Sequence, residues 1–232
     1  MTRYTASYSD FLERVSEVEI LRRSAAKLER ASAIEMRAEI NALCRGSIVL
    51  LCSHVEAYIK EVGELALDNF YSRAVQRDGF SLNTFYHISK DLIDEMKDTS
   101  DHSKIAEKMF RFIESDLTYW SRSGPFSVRV PSERFNKGFS NPKFEKVKTY
   151  FNRFGYDVYR TDLFRKLGPH ANPTINTLNH LVDIRNSIAH GDPSATKTPA
   201  DIKELIDSVS KFCRITDEVF STWCRLRFCT IK

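Results

Sequence analysis

Residues 172–193 read NPTINTLNHLVDIRNSIAHGDP, and this stretch contains the start, one face and the end of a helix. Asn172 followed by Pro173 is typical of a helix start, because the N–H that proline lacks has no partner at the first helical position. Gly191 is typical of the residue that follows a helix. Between these ends, apolar residues recur at three- and four-residue spacing. We therefore predict an amphipathic helix that ends at His190.

Helical periodicity continues on both sides of this helix, which we call the motif helix. Before it, the apolar spacing predicts a helix from Ser7 or Ser9 to Arg30 and a long central helix that begins near Ile34. After it, a last helix begins near Thr198. Shorter helices are predicted at about 83–97, 103–119 and 142–153, with another that ends near 166. Glycine and proline residues interrupt the period over 121–141, which we predict to be a long loop.

The fold class predicted from these elements is all-α. Only 8 glycines and 7 prolines occur among 232 residues, well below the usual ~7% and ~5%, and no segment alternates as a strand would. We expect one domain over residues 1–232. Its architecture is an antiparallel helical bundle, with residues 82–166 as an insertion between the long second helix and the motif helix.

Composition excludes several classes of protein. The longest apolar run, Ile48 to Cys52, is far shorter than the ~20 residues that span a membrane, and residues 1–10 contain no apolar signal core. We therefore expect a cytoplasmic protein with no membrane partner. The five cysteines include no CxxC pair, and the histidines show no metal-ligand spacing. Neither a metal nor another cofactor is expected.

The motif helix carries three side chains of chemical interest. Asn186 and His190 lie on a polar ridge, and His190 occupies the last turn, where the helix dipole favours a protonated imidazole. Arg185 instead lies within the apolar stripe of the helix, so a cation is directed towards a packed surface. The other members of that stripe are Leu178, Leu181, Val182, Ile188 and Ala189.

These three side chains are suited to the cleavage of RNA. Arginine offers a planar pair of donors to phosphate oxygens, asparagine can orient a neighbour through its amide, and histidine transfers protons near neutral pH. RNA supplies its own nucleophile in the 2′-hydroxyl, so this chemistry needs no metal. Taken singly, Arg185 is more often an interhelical ion-pair partner and His190 a helix cap. The spacing of the whole set favours the functional interpretation.

The motif resembles one that defines a known superfamily. Residues Arg185–Gly191 resemble the Arg-x4-6-His motif of the HEPN superfamily (higher eukaryotes and prokaryotes nucleotide-binding). Residues Ser53–Glu61 are similar to the early helix of its MAE_28990-like and RiboL-PSP-type members. The resemblance covers about 40–63 and 174–192 and does not extend to the predicted insertion.

This resemblance implies a metal-independent endoribonuclease that acts by general acid-base transesterification. Two copies of the motif would face each other across the shared cleft of a homodimer, with Arg185 on the scissile phosphate, His190 as acid or base, and Asn186 positioning them. Many members are toxins or antiviral defence effectors, which implies an antitoxin or another regulatory protein as a partner. In some toxins the antitoxin modifies a tyrosine two residues after the histidine, a position that Asp192 occupies here.

Two alternatives remain open at this point. Glu56 is a weaker candidate for the catalytic site, because an acidic residue of the early helix reaches the site in some relatives. It is equally well placed for an i,i+4 ion pair with Lys60. The alternative to an enzyme is a non-catalytic HEPN module for RNA binding or protein interaction, in which Arg185 and His190 only hold the dimer together.

Residues 121–166 form a basic and aromatic-rich segment. They include eleven basic and four acidic residues, a net charge of 11 − 4 = +7, which leaves 4 − 7 = −3 for the remainder of the chain. Ten aromatic residues are interleaved with this charge, as in surfaces that bind single-stranded nucleic acid. We predict that the segment guides RNA to the motif, and the candidate contacts are Lys143, Lys146, Lys148 and Arg153. Helical spacing assigns Phe144, Val147, Phe151 and Phe154 to the core.

Overall fold

The computed structural model describes residues 4–232, and within that range the chain is helical with no β-strand. The four long helices are α1 (Ala6–Ser32), α2 (Arg37–Ser72), α9 (Ala171–Ala189) and α10 (Pro199–Arg227). Six shorter helices lie between α2 and α9: α3 (Leu82–Ile88), α4 (Lys90–Lys97), α5 (His102–Ser115), α6 (Ser132–Asn136), α7 (Phe144–Asn152) and α8 (Tyr159–Leu167). Short 3₁₀ turns occur at Arg77–Gly79, Leu117–Tyr119 and Gly168–His170. The prediction of an all-α bundle is confirmed.

Helix α2 is the centre of the bundle and packs against α1, α9 and α10. The apolar stripe of α2 faces this core, with Leu65 half-buried at the edge. The buried members of the stripe are Ile48, Leu51, Val55, Tyr58, Ile59, Val62 and Ala66. By length and composition alone α2 could also cross a membrane, but half of its most apolar window is buried inside the protein. That environment is the one expected of a core helix.

The structure corrects three predicted helices. The helix predicted at 103–119 ends at Ser115 and is followed by a 3₁₀ turn. At the other two boundaries a side-chain hydrogen bond accompanies the change. The first helix is capped by Thr5 rather than by Ser7 or Ser9, because the Thr5 side chain accepts a hydrogen bond from the N–H of Tyr8. The helix predicted at 83–97 is divided at Ser89 into α3 and α4.

The division at Ser89 coincides with a tertiary contact. The Ser89 hydroxyl is buried and accepts a hydrogen bond of 2.9 Å from Nε1 of Trp120. This hydrogen bond ties the junction of α3 and α4 to Trp120. The loop predicted at 121–141 also contains one short helix, α6.

The segment 82–166 has an outer and an inner half. Helices α4 and α5 in the outer half contribute no fully buried residue. The inner half is part of the core: Phe151 and Tyr159 are completely buried, and the Phe151 ring lies 4.7 Å from that of Phe220 on α10. Helices α7 and α8 therefore join α9 and α10 to one continuous core.

A buried carboxylate ties the start of α1 to α10. Asp217 is fully buried, and its two oxygens accept hydrogen bonds from the backbone N–H of Thr5 at 3.1 Å and from the Thr5 hydroxyl at 2.5 Å. Burial raises the pKa of Asp217, and the hydrogen bonds from Thr5 and Tyr58 oppose that rise. The native state therefore binds the Asp217 proton more tightly than the unfolded chain does.

We expect Asp217→Ala to lower the free energy of unfolding by about 2–3 kcal/mol, because it leaves the buried Thr5 N–H without an acceptor. Asp217→Asn keeps an acceptor of the same shape and should cost less. Because the pKa of Asp217 is raised in the native state, its contribution to stability falls as pH rises above the ordinary aspartate pKa. Asp217→Asn should lose this part of the pH dependence. Urea denaturation of the three proteins between pH 4 and 7 measures both effects, and equal losses in the two variants would contradict the hydrogen-bond explanation.

Candidate functional site

The motif helix α9 ends close to where the sequence predicts, at Ala189, with His190 as the C-cap residue. Leu178, Leu181 and Val182 are fully buried against the rest of the bundle. The prediction that Ala189 joins this stripe is wrong, because Ala189 is exposed, whereas Ile188 is half-buried against the core. The helix therefore stays packed against the core as far as Ile188, two residues before the motif histidine.

A specific turn holds the end of α9. The N–H of His190 donates to the carbonyl of Asn186 at 2.9 Å, and Gly191 follows with a φ of +81°, a conformation that favours glycine. The next two N–H groups, of Gly191 and Asp192, donate to Ile188 and Ser187 at 3.1 and 3.0 Å. This is the Schellman arrangement of a helix C-terminus. It defines the backbone of His190 and leaves the imidazole exposed.

Arg185 lies half-buried where α9 meets α2. Its Nη1 donates to Oδ1 of Asn186 at 3.1 Å. Its guanidinium also lies beside the thiol of Cys52 on α2; burial raises the pKa of Cys52, and Arg185 opposes that rise. Among residues 4–232 no carboxylate lies within 4 Å of this guanidinium, so its described partners are neutral. The Cys52 thiol stays protonated at neutral pH, and Arg185 keeps its capacity to bind an anion.

Glu56 on α2 binds the loop that precedes α7. One carboxylate oxygen accepts from Nζ of Lys60 at 2.7 Å, the i,i+4 pair that the sequence offered as the alternative role. The other accepts from the backbone N–H of Asn141 at 3.1 Å. Asn141 has a φ of +54°, a strained value that this hydrogen bond helps to maintain. Both Glu56 oxygens are therefore occupied within the fold.

The same loop is held from α9. Oδ1 of Asn179 accepts from the backbone N–H of Phe144 at 2.9 Å, and Asp183 pairs with Lys143 at 2.5 Å. Asn179 and Asp183 precede Asn186 on the polar ridge of the helix. The loop before α7 thus borders the motif from the N-terminal side, between α2 and α9.

Most of the basic residues in 121–166 are in ion pairs. Seven of the eleven have a carboxylate partner, and five of those partners lie outside the segment, so the +7 charge is largely neutralised by the fold. The pairs are Arg129–Asp68, Arg134–Asp116, Lys137–Asp91, Lys143–Asp183, Lys148–Glu145, Arg165–Asp162 and Lys166–Glu218.

The placement of Arg153 on an RNA-binding surface was wrong. Arg153 is only 8% exposed, and its Nη1 donates to the carbonyls of Phe135 and Lys137 at 2.5 and 3.1 Å. Lys146 is the one predicted contact that is exposed without a carboxylate partner among the described residues. Nine of the ten interleaved aromatic side chains are buried, which leaves few for stacking on bases: Phe126, Phe135, Phe139, Phe144, Tyr150, Phe151, Phe154, Tyr156 and Tyr159.

Two contacts of the motif were not identified from the sequence. Cys52 lies beside Arg185, and Arg45 reaches the loop after His190, where its Nη1 donates to the carbonyl of Asp192 at 2.8 Å. A signal for both exists in the sequence. Positions 45, 52 and 56 are seven and four residues apart, a spacing that places them on one side of a helix. That side of α2 faces the motif and its bordering loops.

Across residues 4–232, no group of three or more histidine, cysteine, aspartate or glutamate side chains is arranged to hold a metal ion. A cavity of about 490 Å³ is lined by residues of α3, α4, α5 and α6, and Asp116 and Arg134 are part of its lining. None of its lining residues belongs to the motif.

The chain is similar to a known protein family. A family model described as RiboL-PSP-HEPN matches residues 9–222. The matched range contains the motif and also residues 82–166, beyond the two stretches on which the sequence resemblance rests. No curated protein and no solved structure shows significant similarity to the chain.

Proposed function

The chain belongs to the RiboL-PSP-HEPN family, and we propose that it is an endoribonuclease built on Arg185, Asn186 and His190. Membership of this family is associated with ribonuclease or RNA-binding roles. One observation carries the finer assignment. Arg185 is a half-buried cation whose described partners are the neutral side chains of Asn186 and Cys52, and it lies on the same helix end as an exposed histidine. A cation in such a setting is suited to bind a phosphate.

The proposed reaction is transesterification at an RNA phosphate. The 2′-hydroxyl oxygen attacks phosphorus as its proton passes to a base, the bond to the 5′-oxygen breaks, and an acid protonates that oxygen. The products are a cyclic phosphate and a 5′-hydroxyl end. Arg185 stabilises the charge that develops on the non-bridging oxygens, and Asn186 holds its guanidinium. His190 serves as the base or the acid.

A homodimer would supply the second proton-transfer group. One chain carries a single motif histidine, whereas the reaction needs both a base and an acid. Val49 and Ser53 lie on either side of the buried Cys52 in the sequence of α2. Both side chains are exposed and short, so a second copy could approach the helix closely there. We propose that two motifs face each other there. A toxin or defence role, with a regulatory protein that restrains cleavage, is part of the same proposal.

The test is cleavage of mixed cellular RNA in excess EDTA. We expect wild-type protein to cut and His190→Ala to be slower by about 100-fold or more, because positioned proton transfer typically contributes 10²–10⁴-fold. His180→Ala is the matched control, since His180 is an exposed histidine on the same helix. Its activity should equal that of the wild type.

Equal cutting by wild type and His190→Ala would overturn the assignment of His190. If folded wild-type dimers bind RNA or a protein partner without cutting, the non-catalytic module becomes the better description. Mass measurement in solution and RNA-binding titrations on the same samples separate these outcomes.

A further inference from the structure

Arg45 connects the central helix to the loop that follows the motif. It lies on α2 two helical turns before Cys52 and is half-buried. Its Nη1 donates to the carbonyl of Asp192 at 2.8 Å and to that of Ala195 at 3.4 Å. One guanidinium therefore holds both ends of the turn at 192–195.

The turn has further internal bonds that centre on Asp192. Its Oδ1 accepts from the backbone N–H and the hydroxyl of Ser194, at 2.8 and 2.7 Å. These bonds lower the pKa of Asp192, and the charge of Arg45 lowers it further. The Asp192 carbonyl also accepts from the N–H of Ala195 at 3.4 Å. The aspartate shapes the turn, and Arg45 attaches it to α2.

This attachment bears directly on His190. The N–H of Asp192 also closes the Schellman turn at the end of α9. The segment that Arg45 holds therefore begins two residues after His190, in the same hydrogen-bonded unit. His190 itself has no described side-chain partner within residues 4–232. The position of His190 therefore depends on the hydrogen-bonded backbone on either side of it.

We propose that Arg45 is a positioning residue for His190. It acts through the backbone of the 192–195 turn, and it holds the C-terminus of α9 so that the imidazole keeps its position at the helix end that carries Arg185. The catalytic part of this inference rests on the proposed function. Attachment of the turn by Arg45 does not depend on any reaction.

The experiment compares Arg45→Ala with Arg37→Ala and Arg45→Lys. Arg37 is an exposed arginine at the start of the same helix and serves as the control. We expect Arg45→Ala to raise amide hydrogen exchange over residues 192–196 by about tenfold, since a locally anchored turn loses its tertiary contact. Arg45→Lys should recover part of the protection through a single ammonium donor. Arg37→Ala should leave exchange unchanged.

Cleavage kinetics of the same variants test the effect on His190. We expect kcat of Arg45→Ala to fall by about tenfold to 100-fold, because small displacements of a catalytic group have effects of this size. KM should stay within about twofold, since the proposed role of Arg45 involves no contact with RNA. A raised KM with unchanged kcat would overturn the proposal and make Arg45 a direct RNA contact.

The two readouts keep the inference separate from the proposed function. If wild-type protein does not cut RNA, the proposed function fails, and hydrogen exchange together with the His190 ring resonances in NMR decides the positioning role. Unchanged exchange and unchanged resonances in Arg45→Ala would overturn it. Increased exchange with shifted or broadened His190 resonances would support it.

Discussion

Arg185→Ala is expected to reduce RNA cleavage by about 100- to 1,000-fold, the usual cost of removing one group that stabilises charge in a transition state. Arg185→Lys keeps the positive charge but loses the planar fork that can bind Asn186 and a phosphate oxygen together. We expect a loss of about tenfold or more in that variant. The measurement is kcat/KM on one defined RNA, with the oligomeric state of each variant checked in solution.

The same variants discriminate between the enzyme and the non-catalytic module through stability. In the described structure Arg185 forms no ion pair, so its removal leaves no buried carboxylate without a partner. The free energy of unfolding of Arg185→Ala should therefore stay within about 1 kcal/mol of the wild type. If the main role of Arg185 were to hold the dimer together, Arg185→Ala would dissociate or lose several kcal/mol. That result would favour the module.

Gly63→Ala is expected to lower the free energy of unfolding by about 3 kcal/mol, a large part of the 5–15 kcal/mol typical of a domain. A Cβ atom at Gly63 would lie 2.1 Å from Oη and 2.9 Å from Cζ of Tyr150. Tyr150 cannot easily move away, because it is fully buried and its hydroxyl donates to Oδ1 of Asn136 at 2.5 Å. Urea denaturation measures the change.

Gly46→Ala is the matched control on the same helix. The nearest atom to a Cβ there is Cδ1 of Leu21 at 3.8 Å, an ordinary contact distance. Alanine is the better helix former by about 0.5–1 kcal/mol, so this variant should be neutral or stabilised. Gly63→Ala combined with Tyr150→Phe should recover part of the loss, because the closest atom is then absent. Equal stability of the two alanine variants would show that α2 and α7 are not in close contact at Gly63.

The helices could be predicted from the sequence because each carries its own signals. Thr198, predicted near the start of the last helix, caps α10 in a reciprocal box with Asp201. The predicted helix boundaries were wrong where the terminal residue forms a hydrogen bond with a residue distant in sequence. Thr5 caps α1 while also binding Asp217, and Ser89 ends α3 while binding Trp120.

The candidate site was predictable only along α9. Arg185, Asn186 and His190 lie within six residues of one another, so helical geometry alone relates them. Their neighbours come from elements more than forty residues away in sequence, such as Arg45 and Cys52 on α2. No local sequence pattern predicts that these elements pack together.

The sequence by itself determined the helical fold class, the extent of the motif helix and the presence of an arginine and a histidine at its end. These features depend on contacts between residues a few positions apart. Only the tertiary structure decided that Arg153 is buried, that Lys143 pairs with Asp183, and that Arg185 meets Cys52 rather than a carboxylate. The physical reason is that burial and charge pairing depend on which distant helices pack together, and packing is a property of the whole core.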